Sequence, residues 1–401
     1  MALEKAVVLH FGKHSTVAGF SNRDLPQCML PSAYLMPDGG EPVYGLYELM
    51  QAKEHDIYTL FDNRGVPTDW EMLERFCRWI YATQLRVGPE ELPVCITVPP
   101  DLSATVRSQF HELVLCKLRA PVLQLISEPL AVTLSLGRST ALVVDVGASK
   151  VTVTPIVDGS VVKTGILRSR YAGDFLDFQL MKALDDRPDG TSLYHWQQSR
   201  TWMRDFKNTM LQVSLMRLSE VEKQLQKQSI SFIPIPLEGR KHFLFKRQKT
   251  VTWDLKQCYR IPESLFDPSS VSPEFDSADG LSDLVGKAIK KCAASITSSN
   301  GSAAQPAAAG LPSATPEQIH AALLTNVVII GGTSLLQGLE QRLVNDLSLQ
   351  FPQYKLSTYA TPAHVDRQLQ SWQGGVNMCH LPDWKLGSWV TKQEYLESLD
   401  K

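Results

Sequence analysis

Short apolar runs closed by glycine-bearing turns recur along this chain. Ala6 to Leu9 are apolar in succession, the polar stretch after them carries His10 and Gly12, and Thr16 to Phe20 is again mostly apolar. That pattern predicts a β-hairpin, with Gly12 allowing the backbone to approach a phosphate closely. The order returns in ALVVDVGASKVTVTPIVDG (Ala141 to Gly159): an apolar strand, Asp145, Gly147 two residues on, then an alternating strand. Two such hairpins predict a duplicated α/β unit, with two lobes around a cleft.

Between and after the hairpins the period changes to that of helices. DWEMLERFCRWIYATQL (from Asp69), ATVRSQFHELVLCKL (from Ala104) and GDFLDFQLMKAL (from Gly173) repeat apolar residues at three and four. The stretch from Ser199 to Gln228 also reads as helical, and LPVCITVPP reads as a buried strand. TNVVIIGGTSLLQGLEQRLVNDL (from Thr325) predicts a strand, a Gly-Gly turn and an amphipathic helix capped by Thr333 or Ser334. A strand, a glycine turn and a helix start together make an anion or nucleotide cradle. Ser295 to Thr315, rich in Ser, Ala, Gly and Pro, is expected to be a disordered insertion.

Composition narrows the function classes. With 401 residues, 43% hydrophobic, and a formal net charge of −2, the chain reads as a soluble protein of two or more domains. That balance makes direct nucleic-acid binding through charge an unfavoured reading. The basic GRKHFLFKRQK (from Gly239) reads as a solvated surface hairpin. No signal peptide is read at the N-terminus, and no stretch reaches the roughly 18 apolar residues that span a bilayer. Seven cysteines without a CxxC pair suit free thiols in a reducing interior, and scattered histidines give no metal-ligand spacing. Trp70, Trp79, Trp372 and Trp389 are expected in the core, and Glu128 in ISEPLA at a strand exit.

In chain order, the opening hairpin, VVDVGASKVTVTPIVDG, AGDFLDFQLMK, NVVIIGGTSLLQGLEQRL and GSWVTKQEYLES resemble segments of actin, over essentially the whole chain apart from the low-complexity insertion. GRSTALVVD, YAGDFL, YRIPESLFDPSSV and VDRQLQSWQGG resemble the nuclear actin-related proteins, and among them the actin-related protein four (actin-like six) group. The resemblance implies an α/β, ribonuclease H-like duplicated, two-lobed fold around a central nucleotide cleft. The expected division is 1–137 for the first lobe, with a reduced second subdomain at roughly 33–66. Residues 138–370 make the second lobe, with the fourth subdomain at roughly 174–262 and the insertion at 295–315, and 371–401 return to the first lobe.

Actin relatives hydrolyse ATP with Mg²⁺ held through one carboxylate per hairpin, and with a Gln and a His that orient the attacking water. By this resemblance the second carboxylate is Asp145, but the first is His10, and magnesium prefers oxygen ligands. The family's phosphate lysine falls on Val17, its second-hairpin Asp on Ala148, its water-orienting His on Thr152 and its Gln near Glu128. No catalytic residue and no metal ligand is therefore expected, and the chain reads as a pseudo-ATPase. The adenosine side is better kept, in Gly331, Gly332 and Thr333, with Arg204 and Lys207 where the family packs basic side chains against adenine. Gly12, Asp145 and Gly147 complete the expected nucleotide set. Lys13 or a charged His14 would stand in for the lost lysine. Two readings stay open: ATP held without hydrolysis, and an empty cleft.

The resemblance further implies a nuclear scaffold subunit of chromatin remodelling and histone acetyltransferase complexes. Its partners would be actin or another actin-related protein, and a long helix of a large subunit, the helicase-SANT-associated segment. That helix would meet Leu134, Met378, Leu381 and Trp384. The short stretch between Ser32 and Asp69 lacks the family's polymerisation loop, which argues against homo-filaments. No membrane association is expected. The alternatives are a cytoplasmic filament-capping protein like the pointed-end subunits of dynactin, and a weak ATPase of the same superfamily.

Overall fold

The computed structural model describes residues 5–37, 39–51, 57–185, 200–226, 238–245, 249–299, 314–360, 364–380 and 389–399. The elements used below run β1 (Val7–Phe11), β2 (Ser15–Phe20), β3 (Cys28–Pro31), β4 (Ala33–Leu35), α1 (Leu46–Gln51), β5 (Ile57–Thr59), α2 (Trp70–Trp79), β6 (Val94–Val98), α3 (Ala104–His111), β7 (Val122–Ser127) and α4 (Glu128–Ser135). There follow β8 (Ala141–Val146), β9 (Val151–Val157), β10 (Leu167–Ser169), α5 (Gly173–Asp185), α6 (Arg200–Met210), α7 (Leu218–Gln226), β11 (Arg240–Phe245), β12 (Lys249–Asp254), α8 (Leu255–Glu263) and α9 (Leu281–Ser299). The run closes with α10 (Pro316–Leu324), β13 (Val327–Ile330), α11 (Leu339–Gln350), β14 (Thr358–Tyr359), α12 (His364–Cys379), β15 (Val390–Thr391) and α13 (Lys392–Leu399).

The chain divides into two compact units. Unit 1 comprises Met1–Ser139, Asp158–Val161 and Gln368–Lys401; unit 2 comprises Thr140–Val157 and Val162–Arg367. In unit 1 a mixed sheet has the order β15-β7-β6-β1-β2-β3. Its hairpin pairs His10 with Val17, and β6 lies parallel to β1. Strands β1 and β6 are apolar almost throughout because both faces are covered, one by the α2 and α3 side chains and the other by α12. Asp69 starts α2 by accepting the N–H groups of Glu71 and Met72, a cap worth about 1 kcal/mol.

In unit 2 the strands have the order β9-β8-β13-β14, with β10 on β9. Strand β13 lies parallel to β8 and sets Ile330 beside Asp145, so the Gly-Gly turn emerges next to the second hairpin. Helices α9, α10 and α11 bury the sheet through Val285, Ile289, Leu323, Leu343 and their neighbours.

Three sequence-based expectations need correction. The helical stretch from Ser199 is broken: α6 ends at Met210 and α7 begins at Leu218. The link between them is pinned, since Arg342 donates to the carbonyls of Ser214 and Met216, and Asn345 to that of Leu215. The insertion is narrower than 295–315, because α9 continues to Ser299 and Thr315 caps α10 in a reciprocal box with Gln318. Its centre, 300–313, lies outside the described residues. Neither Thr333 nor Ser334 caps the following α-helix. A tight turn occupies Gly332–Leu335, and α11 starts at Leu339 after Gly338.

Other expectations match. The basic stretch forms the β11/β12 hairpin, although 246–248 lie outside the described residues. Trp372 is fully buried, and its indole donates to Val8 O. Glu128 begins α4 directly after β7. Among the described residues no helix is long and apolar enough to cross a membrane, and all seven cysteines are free.

Candidate functional site

Each unit carries one set of the candidate residues. In unit 1 the hairpin turn is bonded to its own chain at Gly12 and Lys13. Gly12 N–H donates to Ser15 O at 2.9 Å, and Ser32 Oγ donates to Gly12 O at 2.7 Å. Lys13 Nζ donates to Phe61 O, so the amine expected to replace a phosphate lysine is held by its own chain. Beside the turn, His10 Nδ1 lies 2.9 Å from Thr97 Oγ1, and its Nε2 lies 3.9 Å from Glu128 Oε1. The same carboxylate oxygen accepts the hydroxyl of Ser371 on α12. His10, Thr97, Glu128 and Ser371 form a polar cluster, of which the resemblance to actin singled out His10 and Glu128 and left out Thr97 and Ser371.

In unit 2 most of the expected nucleotide residues converge. Asp145 pairs across the hairpin with Thr152, and Gly147 N–H donates to Lys150 O. Gly147 O accepts the Thr333 hydroxyl at 2.7 Å and the Gly173 N–H at 3.2 Å, and Asp174 N–H donates to Ala148 O. The hairpin turn, the start of α5 and the Gly-Gly turn are thus hydrogen-bonded together. Two glycines are required for this. Gly331 has φ +92°, and a Cβ there would fall against Asp145 Oδ1 and lie 2.5 Å from Val146 O. A Cβ on Gly173 would lie 2.6 Å from Thr333 Oγ1.

The basic residues of α6 behave differently from one another. Lys207 Nζ lies 2.7 Å from Asp177 Oδ1, with both side chains largely buried, and donates to Gly173 O at 3.4 Å. Arg204 is exposed, beside Asp205 at 3.7 Å.

A model of the actin family matches residues 1–300 and 308–400. The chain belongs to the actin family. It is 40% identical to actin-related protein 7 of Saccharomyces cerevisiae, with 98% of this chain and 95% of that protein covered. It is 26% identical to actin-related protein 4 of Schizosaccharomyces pombe, over 98% of this chain and 94% of that one. It is 24% identical to the SWI/SNF and RSC complexes subunit arp42 of the same yeast, over 98% and 96%. The likeness to actin-related protein 4 expected from the motifs is present, at lower identity than that to actin-related protein 7.

For an actin-family chain, the hairpin of unit 1 does not suit a magnesium ion. His10, which the resemblance sets at the family's carboxylate position, has its Nδ1 taken up by Thr97, and Glu128 Oε1 accepts from Ser371. Among the described residues no group of three His, Cys, Asp or Glu side chains is placed to hold a metal. On the adenosine side Gly331, Gly332 and Thr333 stand together in one turn, which glycine allows to pack closely on Asp145 and Val146 and which Thr333 ties to Gly147 O. Of the expected partner-binding residues, Leu134 on α4 is exposed, whereas Met378, on α12, is 8% exposed and lies in one core cluster with Leu369 and Trp389. Leu381 and Trp384 lie outside the described residues.

Proposed function

We propose that this chain is a non-catalytic, nuclear actin-related subunit of a chromatin remodelling complex, with a histone acetyltransferase complex as a second setting. It acts as a scaffold beside actin or another actin-related protein, on a long helix of the large subunit of the helicase-SANT-associated kind. The observation that carries the reading is the end-to-end likeness to actin-related proteins, one of them named as a subunit of SWI/SNF and RSC complexes. In keeping with it, the first hairpin has His10 where metal chemistry needs a carboxylate. ATP is held without hydrolysis, on the cradle formed by Asp145, Gly147, Gly331, Gly332 and Thr333 with Lys207 and Arg204 at its edge. The exposed Leu134 contributes to the apolar wall that receives the partner helix.

The test is purification of the tagged chain from its own cells with identification of the co-purifying proteins. A remodelling ATPase or acetyltransferase scaffold recovered together with actin or a second actin-related protein is the expected result. Recovery of dynein-activator subunits instead would transfer the chain to cytoplasmic filament capping.

A further inference from the structure

We propose that Arg367, at the start of α12, is a positioning residue for the Gly331–Leu335 turn and sets its affinity for an adenine nucleotide. The inference rests on the nucleotide-holding reading above. The Arg367 side chain is only 10% exposed and reaches two acceptors at once. Its Nη1 donates to Ser334 O at 3.0 Å, and its Nη2 donates to Glu340 Oε2 at 2.6 Å. The other oxygen of Glu340 accepts the hydroxyl of Thr358 at 2.8 Å, so α11 and β14 together orient the carboxylate.

From Arg367 the bonds run on into the cradle. Ser334, whose carbonyl it holds, donates its hydroxyl to Gly331 O at 2.6 Å. Thr333, between them, donates to Gly147 O at 2.7 Å. The turn is therefore tied at two points, to the second hairpin through Thr333 and to α11 through Arg367. Gly331 has a wide choice of backbone conformations, so its positive φ is held by the bonds and packing around it.

The chemistry of the side chain explains the choice of residue. A guanidinium presents parallel donors in a rigid fork, so one group satisfies a carbonyl and a carboxylate that face the same space. An ammonium in the same place is a point charge on a flexible stem and would be drawn to Glu340, releasing Ser334. Arg367 makes no claim on the nucleotide. It acts by fixing the backbone that the nucleotide meets.

The experiment compares the full-length protein with Arg367→Met, Arg367→Lys and, as a control, Asp346→Asn. The control loosens Arg342 on α11 without touching the turn. Two quantities are read: amide hydrogen exchange over 331–335 without nucleotide, and the dissociation constant of a fluorescent ATP analogue. Arg367→Met is expected to speed exchange at the turn and to weaken the analogue about tenfold, as loss of a charge-assisted hydrogen bond implies. Arg367→Lys restores folding stability but not affinity, and it serves if the Met variant does not fold. Asp346→Asn lowers the melting temperature and leaves affinity unchanged.

Unchanged affinity in the Arg367 variants of a protein that binds the analogue overturns the positioning role alone. Equal weakening by Asp346→Asn, or full rescue by lysine, overturns it as well. A wild-type protein that does not bind the analogue overturns the nucleotide reading and the inference with it.

Discussion

His10 and Glu128 stand 3.9 Å apart, Nε2 to Oε1, at the end of β1 and the start of α4. In a working actin-type site these places belong to a metal carboxylate and to a residue that orients water. Here an imidazole faces a carboxylate, Thr97 takes the other ring nitrogen, and Ser371 donates to the same oxygen, Oε1. The cluster holds one carboxylate and an imidazole, not the pair of carboxylates that a hydrated magnesium ion prefers.

The first prediction follows directly. With ATP and Mg²⁺ the purified protein releases no phosphate above the buffer rate, and ATP raises its melting temperature equally in Mg²⁺ and in EDTA. His10→Asp makes that stabilisation depend on Mg²⁺. A wild-type thermal shift that disappears in EDTA would sink this account.

Arg342 and Glu263 form a buried pair, with Nη1 and Nη2 donating to the two carboxylate oxygens at 3.0 and 3.1 Å. Their side chains are 1% and 6% exposed. Removing one partner strands the other charge, so Arg342→Met should cost about 3–5 kcal/mol in urea unfolding. Adding Glu263→Gln to that variant should recover part of the loss. Strictly additive costs in the double variant would show that the pair is not coupled.

Gly331→Ala forces a side chain into a left-handed position against Asp145 and Val146 O. The expected loss is on the order of 1–3 kcal/mol. The Gly-Gly turn must also shift, which weakens any nucleotide bound there. A change within about 0.5 kcal/mol would mean that the turn is freer than its packing implies.

Folding stability should fall as the pH drops below 6.5, in part through His111 and His320. Burial lowers both pKa values first, and a nearby cation (Arg107 or Lys290) lowers each further. For His111 the bond from Nδ1–H to Arg107 O pulls the other way, as the Glu317 carboxylate does for His320. With the folded value depressed below the ordinary 6.5, the unfolded chain takes up protons first, and stability rises with pH across that window. His111→Gln should flatten the slope of the urea midpoint between pH 6.5 and the acid limit. An unchanged slope would remove His111 from the account.

Much of the fold can be read along the chain, because strand and helix periods and glycine turns are local. The two hairpins, the α2 and α5 helices and the β13 turn all follow from neighbours within a few positions. His10 itself is equally plain in the sequence, and its place at a family carboxylate is what the resemblance implies. The break between α6 and α7 is not plain, since its cause is an arginine far along the chain that binds the carbonyls of Ser214 and Met216. Thr333 reads as a helix cap by local rules, yet its hydroxyl is taken by Gly147 O.

By itself, then, the sequence determined the element types, the duplicated hairpins and which family side chains are missing. Only the tertiary structure decided how those losses were filled. Ser371 meets Glu128 across 243 positions, His10 meets Thr97 across 87, and Lys13 turns back to Phe61. Period and propensity reflect steric contacts one or two turns away. The partner of a half-buried polar group is fixed only once sheets and helices have packed and every donor has to find an acceptor within reach.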